Sequence, residues 1–204
     1  MQEARAAEIL DEFSQQFMQL SPHLRFAAAE TPQEREAVYR ARYAEVVRRG
    51  WAAPEDMPDG IERDEYDDDA LHIVGWDGDV MMIIGRLVFP SPDRPLPTEA
   101  AYDLVIEPRQ QVVDSGRAIR LQPDHGDSQH AMFLGLMSYA WQAMRERGYQ
   151  HICGVMATSI FEMYKRMGIH WEVLGEPRSY WGEMRLPCKF DQVKTVESFL
   201  TGNW

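Results

Sequence analysis

The chain has 204 residues, of which 45% are hydrophobic and 26% charged, and a formal net charge of −12. That length is enough for one well-buried domain and barely enough for two. So large a surplus of acid argues against nucleic acid as a partner, because a phosphate backbone needs a concentrated basic face, and it disfavours an anionic membrane surface. No apolar run approaches the roughly 20 residues needed to cross a bilayer. The two cysteines, Cys153 and Cys188, are far apart and lack the paired spacing of a zinc site, which fits a reducing cytoplasm.

In chain order, residues 1–20 carry an apolar stripe at helical spacing, from Ala7 to Leu20, and predict an additional N-terminal helix (1–22) within one domain spanning 1–204. Its acidic, helical start is unlike a signal peptide. Residues 24–30 predict a short strand. Thr31-Pro32-Gln33-Glu34 has the cap, the first-turn proline and the reciprocal glutamate of a helix start, and Gly50 ends that helix. Residues 51–69 predict a polar loop. Strands follow at 71–78 and 80–89, joined around Asp77-Gly78 as a hairpin. Residues 90–111, with five prolines, predict a long surface excursion, and 112–121 a strand with a possible bulge at Gly116. "QPDHGDS" reads as a turn, and 129–148 as a helix with Met132, Phe133, Leu136, Met137, Ala140, Trp141 and Met144 on one face. A strand (149–156), a short helix (158–168) and strands at 170–177 and 179–187 complete the order. It implies an α/β fold whose mixed, mostly antiparallel central sheet has helices on both faces.

The segment "GIERDEYDDDALHIVG" (60–75) crowds six carboxylates in front of a strand. Taken alone it reads as a solvated loop, and it lacks the spacing of a calcium loop. Candidate partners are Arg42, Arg86 and Arg117, each set among apolar neighbours, where a buried guanidinium requires a carboxylate. With Asp64, Asp67 and Asp114 they predict an interlocked charged wall across neighbouring strands. Five of the six histidines, His72, His125, His130, His151 and His170, form no nucleophile–base spacing and read as packing or surface residues. No metal site is expected. The methionines read as core, with a flexible acyl channel as the alternative.

This order resembles the N-acetyltransferase (GNAT) superfamily, although "LQPDHGDSQHAM" holds one glycine and two aspartates where a glycine-rich loop ordinarily cradles the coenzyme A pyrophosphate. Within it the chain resembles the acyl-homoserine-lactone synthases, makers of quorum-sensing autoinducers, over about residues 35–177. "VYRARYAEVVRRGW" looks like the family's first helix with its arginine at Arg42 and the Gly50-Trp51 pair. "GIERDEYD" is similar to the Glu-x-Asp-x-(Phe/Tyr)-Asp loop, with its two acids at Asp64 and Asp67. "GRLVFPSPDRP" carries Arg86, "VVDSGRAIRL" carries Asp114, Ser115 and Arg117, and "FEMYKRMGIHWEVLGEP" carries Lys165 and Arg166.

The resemblance implies an acyltransferase that joins S-adenosylmethionine to an acyl thioester, on acyl carrier protein or coenzyme A, with no tightly bound cofactor. It implies catalytic roles for Asp114 and Arg117. Substrate binding falls to Arg42, Trp51, Asp64, Asp67, Arg86, Ser115 and Gly154, and carrier-protein docking to Lys165 and Arg166, in a cytoplasmic enzyme. Gly154 falls near the place where the family tunes recognition of the acyl 3-position. Three positions depart from the pattern: Asp114 stands for the usual Glu, Val46 or Val47 for an aromatic, and Gly116 for a Ser. The His72-bearing "DDDALHIVG" also resembles the N-acyl amino acid synthases, which acylate a free amino acid, and a non-catalytic acyl-binding relative is the third reading.

Overall fold

A computed structural model of the protein describes residues 1–20, 22–121 and 129–202. The turn expected at "QPDHGDS", the glycine-poor loop it belongs to and His125 lie outside these residues. The elements are α1 (Glu3–Leu20), β1 (Leu24–Ala28), α2 (Pro32–Arg48), β2 (Leu71–Asp77), β3 (Val80–Val88), α3 (Pro97–Tyr102), β4 (Val112–Arg120), α4 (Gln129–Glu146), β5 (His151–Ala157), α5 (Thr158–Arg166), β6 (Trp171–Val173), β7 (Arg178–Tyr180), β8 (Glu183–Phe190) and α6 (Gln192–Thr201).

Local chemistry accounts for most of these boundaries. The capping box at Thr31 forms as expected: Thr31 Oγ1 accepts from Glu34 N at 3.2 Å, and Thr31 N donates to the Glu34 carboxylate at 2.9 Å. Gly50, at φ +67°, lets the chain turn away from the end of α2. Among the described residues the sheet runs β1-β2-β3-β4-β5-β8-β6, with β7 also on β8. Every pair is antiparallel except β4–β5. Alternation along β3 divides the core: Ile83 and Leu87 face the cluster under α1, α4 and α6, while Ile84 packs with Val38 and Tyr39 of α2 on the opposite face.

The structure corrects four expectations. The proline-rich excursion contains α3, pinned because the Glu99 carboxylate accepts from both Leu96 N (2.9 Å) and Ile106 N (2.8 Å). The strand expected at 170–177 is only Trp171–Val173. "SYWGEMRLP" is not one strand but a hairpin: β7 and β8 meet at Trp181-Gly182, with φ +51° and +69°, the doubly left-handed backbone of a tight turn that suits the sheet twist. Finally, α6 closes the described chain, with the Asp191 side chain capping Lys194 N at 2.9 Å.

β4 and β5 pair only from Val112 with His151 to Asp114 with Cys153. Beyond that step β4 stays with β3 and β5 with β8, so the sheet opens into a fork.

Candidate active site

The acidic loop folds on itself before it meets any partner. Asp64 N donates to the Asp67 carboxylate (2.7 Å), Tyr66 N donates to the Asp64 carboxylate (3.0 Å), and Tyr66 tucks inward with its hydroxyl on Pro95 O at 3.2 Å. The acids then lock three arginines. Arg42 donates both terminal nitrogens to Asp67, at 2.8 and 3.0 Å, and its Nε to Glu62. Arg86 Nη1 bridges Asp64 (2.6 Å) and Asp67 (2.9 Å). Arg117 Nη2 bridges Glu62 (3.0 Å) and Asp64 (2.9 Å). Three guanidinium groups from α2, β3 and β4 thus balance three carboxylates from one loop, as planar donors matched to paired acceptors.

Arg42, Glu62, Asp67 and Arg86 are essentially buried. Burial opposes ionisation of Asp67, but the Arg42 bonds and charge, with the Arg86 charge behind them, hold its carboxyl far below the usual range. His72 lies behind this wall, its Nε2 3.0 Å from Asp67 O and 3.2 Å from the Tyr39 hydroxyl. Burial lowers its pKa and keeps it neutral at physiological pH.

On the other side of the wall the fork opens into a cavity of about 320 Å³. At its apex Gly154 is imposed by close approach, since a Cβ there would collide with the Ser115 carbonyl oxygen. The absence of a side chain at this position therefore has a packing cause. The bulge expected at Gly116 sits one residue later. Between the pairs Ile84–Ile119 and Arg86–Gly116, β4 advances three residues while β3 advances two, and Arg117 adopts φ +53°. A left-handed non-glycine residue costs on the order of 1–3 kcal/mol. Here the Glu62 and Asp64 bonds, together with Trp181 stacked 4.3 Å from the guanidinium, hold it in place.

The cavity wall has two characters. Phe133, Met137, Ile152, Met156, Ile160 and Trp171 line an apolar arm. The rim is polar and aromatic: Trp51 is flanked by Arg49 (4.9 Å) and Arg185 (4.7 Å), and the β7–β8 turn presses on it so closely that a Cβ at Gly182 would stand 2.8 Å from the Trp51 ring. Asp114, at the last paired step of β4 and β5, is also part of the cavity wall. Its Oδ2 accepts from Thr98 N at 2.7 Å and from the Cys153 thiol at 3.7 Å. Burial raises its pKa, outweighing the Thr98 bonds and the Arg86 charge that act against the shift. A carboxylate so raised is a stronger base than a solvated one.

Trp51, Arg86, Asp114, Ser115, Arg117 and Gly154 therefore share the cavity wall. Arg42, Asp64 and Asp67 stand behind it as the scaffold of Arg86 and Arg117. Lys165 and Arg166 are exposed in the last turn of α5. Four further residues meet at the site without having stood out in the sequence: Glu62, although it opens the acidic motif, and Thr98, Trp181 and Arg185. The Trp-Gly pair at 181–182 was the available turn signal for one of these. No cluster of metal-ligating side chains occurs among the described residues, and none of their helices is long and apolar enough to cross a membrane.

No protein-family model and no curated protein sequence matches the chain. Solved structures do. The chain is similar to TofI, solved in a ternary complex with an inhibitor and MTA, at 24% identity over 86% of this chain and 95% of that one, with a TM-score of 0.67. It has the fold of the acyl-homoserine-lactone synthases. BjaI, a CoA-dependent acyl-homoserine lactone synthase solved with SAM and isopentyl-CoA, matches at 21% identity over 88% of this chain and 89% of that one (TM-score 0.63). FeeM, an N-acyl amino acid synthase from uncultured soil microbes, matches at 11% identity over 85% and 94% (TM-score 0.63).

Proposed function

We propose that this chain is an N-acyltransferase that makes an N-acyl-homoserine lactone from S-adenosylmethionine and an acyl thioester. The observation that carries the reading is the fork cavity itself. It has an apolar arm, a polar aromatic rim and, in its wall, a buried carboxylate with raised basicity. The fold shared with TofI and BjaI supports the same reading.

In this account the acyl chain occupies the apolar arm, which places the thioester carbonyl at the apex of the fork. Backbone N–H groups on strand edges that have parted from each other are positioned to stabilise an oxyanion there. The substrate α-ammonium gives its proton to Asp114, directly or through a water. The freed amine forms the N–C bond, the C–S bond breaks as the departing thiolate takes that proton from Asp114, and the regenerated carboxylate accepts the second proton that the nitrogen sheds on becoming an amide. The substrate carboxylate then attacks its own γ-carbon, the bond from that carbon to the sulfonium breaks, and neutral methylthioadenosine departs as the lactone closes. Arg185, whose nearest acid, Glu183, stands 3.6 Å away, is placed at the rim to hold the α-carboxylate. Arg42, Asp64 and Asp67 act indirectly, by fixing Arg86 and Arg117.

A second reading, acylation of a free amino acid, draws on the neutralised loop. With three carboxylates matched by three arginines, the loop offers little excess charge to a sulfonium. Product identity separates the two. The protein incubated with S-adenosylmethionine, free amino acids and thioesters on acyl carrier protein and on coenzyme A is expected to yield acyl lactone; acyl amino acid alone would replace the first reading with the second. If the donor rides on acyl carrier protein, reversing Lys165 and Arg166 to Glu raises the KM for the carrier. An unchanged KM would place the donor on coenzyme A or its docking elsewhere.

A further inference from the structure

The active-site cavity is not the end of the apolar path through the molecule. A second pocket, about 40 Å³ and almost wholly apolar, lies between α1, α4 and α6, walled by Phe13, Phe17, Leu134, Trp141 and Phe199 among others. Met137 and Ile152 line both spaces. The side chains of Met137 and Ile152 therefore form the partition between the acyl arm and this second pocket, which the N-terminal helix walls on its outer side. Met137 is unbranched, so it swings aside more easily than a β-branched residue at the same place.

α1 is firmly seated over this chamber. Asp11 accepts from Trp141 Nε1 (2.8 Å) and Arg145 Nε (3.1 Å), and Gln142 reaches the Ser14 hydroxyl at 3.3 Å. Outside, Phe13 and Phe17 meet Phe199 edge-on, with ring centroids 5.4 and 5.7 Å apart. A wall of this composition offers no partner to a polar group and suits methylenes. By the threshold of roughly 10–15 Å³ for a water-sized occupant, the chamber has room for about three such groups.

We infer that the chamber under α1 and α6 is the terminal subsite for the donor's aliphatic chain, with Met137 as the gate that sets how long a chain the enzyme accepts. The inference rests on the acyl-transfer reading and names its substrate class: long, unbranched acyl groups whose last carbons lie under Phe13, Phe17 and Phe199. In that arrangement α1 is the end wall of the substrate tunnel.

The test needs no turnover. Binding of S-alkyl thioether analogues of acyl-pantetheine, in a series of rising chain length, is measured by calorimetry on the full chain. It is repeated on Leu134→Trp, which fills only the outer chamber, and on Met137→Ala, which widens the gate. For the wild type, affinity is expected to tighten about fourfold per added methylene until the chamber is full. Leu134→Trp should level off several carbons earlier while binding short chains as well as the wild type does. Met137→Ala should reach the longest analogues with the smallest loss. Identical length dependence in all three folded proteins would overturn the inference. Absence of acyl transfer with these binding differences intact would count against the proposed reaction and not against the subsite.

Discussion

Cys153 donates its thiol to Asp114 Oδ2 across 3.7 Å at the last paired step of β4 and β5. The bond ties the candidate base to the apex of the fork, with Thr98 N as the second donor to the same oxygen. It favours the ionised carboxylate, against the burial that raises the pKa. Cys153→Ala is therefore expected to move the acid limb of the kcat/KM profile to higher pH, and Cys153→Ser, a stronger donor, to lower pH. A profile that moves with neither variant would remove Asp114 from the rate-limiting proton transfer.

Asp114→Asn separates activity from stability. Because the folded-state pKa lies above the unfolded value, the ionised group detracts from stability once pH rises through the folded pKa. The amide is expected to lose about 100-fold or more in turnover while its urea midpoint at neutral pH matches or exceeds that of the wild type. A midpoint well below the wild type would show that the carboxylate is structural.

The Arg42–Asp67 pair has the opposite sign. Asp67 is held far below its unfolded pKa, so its contribution is fully present above about pH 4 and lost as pH falls from there towards the folded value. Asp67→Asn should flatten the acid side of the stability–pH curve. Removing the partner with Arg42→Ala leaves Glu62 and Asp67 buried without it and is expected to cost about 3–5 kcal/mol, read by urea denaturation.

Gly154→Ala introduces a Cβ that meets the Ser115 carbonyl oxygen, and it must either push the fork apart or shift β4. A loss of about 1–3 kcal/mol is expected, together with reduced turnover on every acyl chain. A change confined to 3-substituted chains would instead assign Gly154 to acyl recognition.

Local rules were strong enough to make much of this molecule legible in its sequence. Thr31 to Glu34 capped α2 through contacts within one turn, and arginines set in apolar stretches of α2, β3 and β4 demanded the carboxylates that the 60–69 loop supplies. The rest depends on long-range geometry. Glu62 looked like one more acid in a run until β4 brought Arg117 beside it. Periodicity did not separate the two strands around Trp181-Gly182, and it did not mark the displacement of the bulge to Arg117, which is held by partners on two other segments. The fork at Gly154 follows from where two strands stop pairing, a property of the sheet and not of either strand.

The most direct test of the central claim is thiol release from an acyl thioester, followed together with methylthioadenosine formation, in the presence and absence of S-adenosylmethionine, for the wild type and Asp114→Asn. The account expects thiol and methylthioadenosine to appear in equal amounts, only with S-adenosylmethionine, and to fall together in the variant. Thiol release without methylthioadenosine, or equal rates in the two proteins, would contradict it.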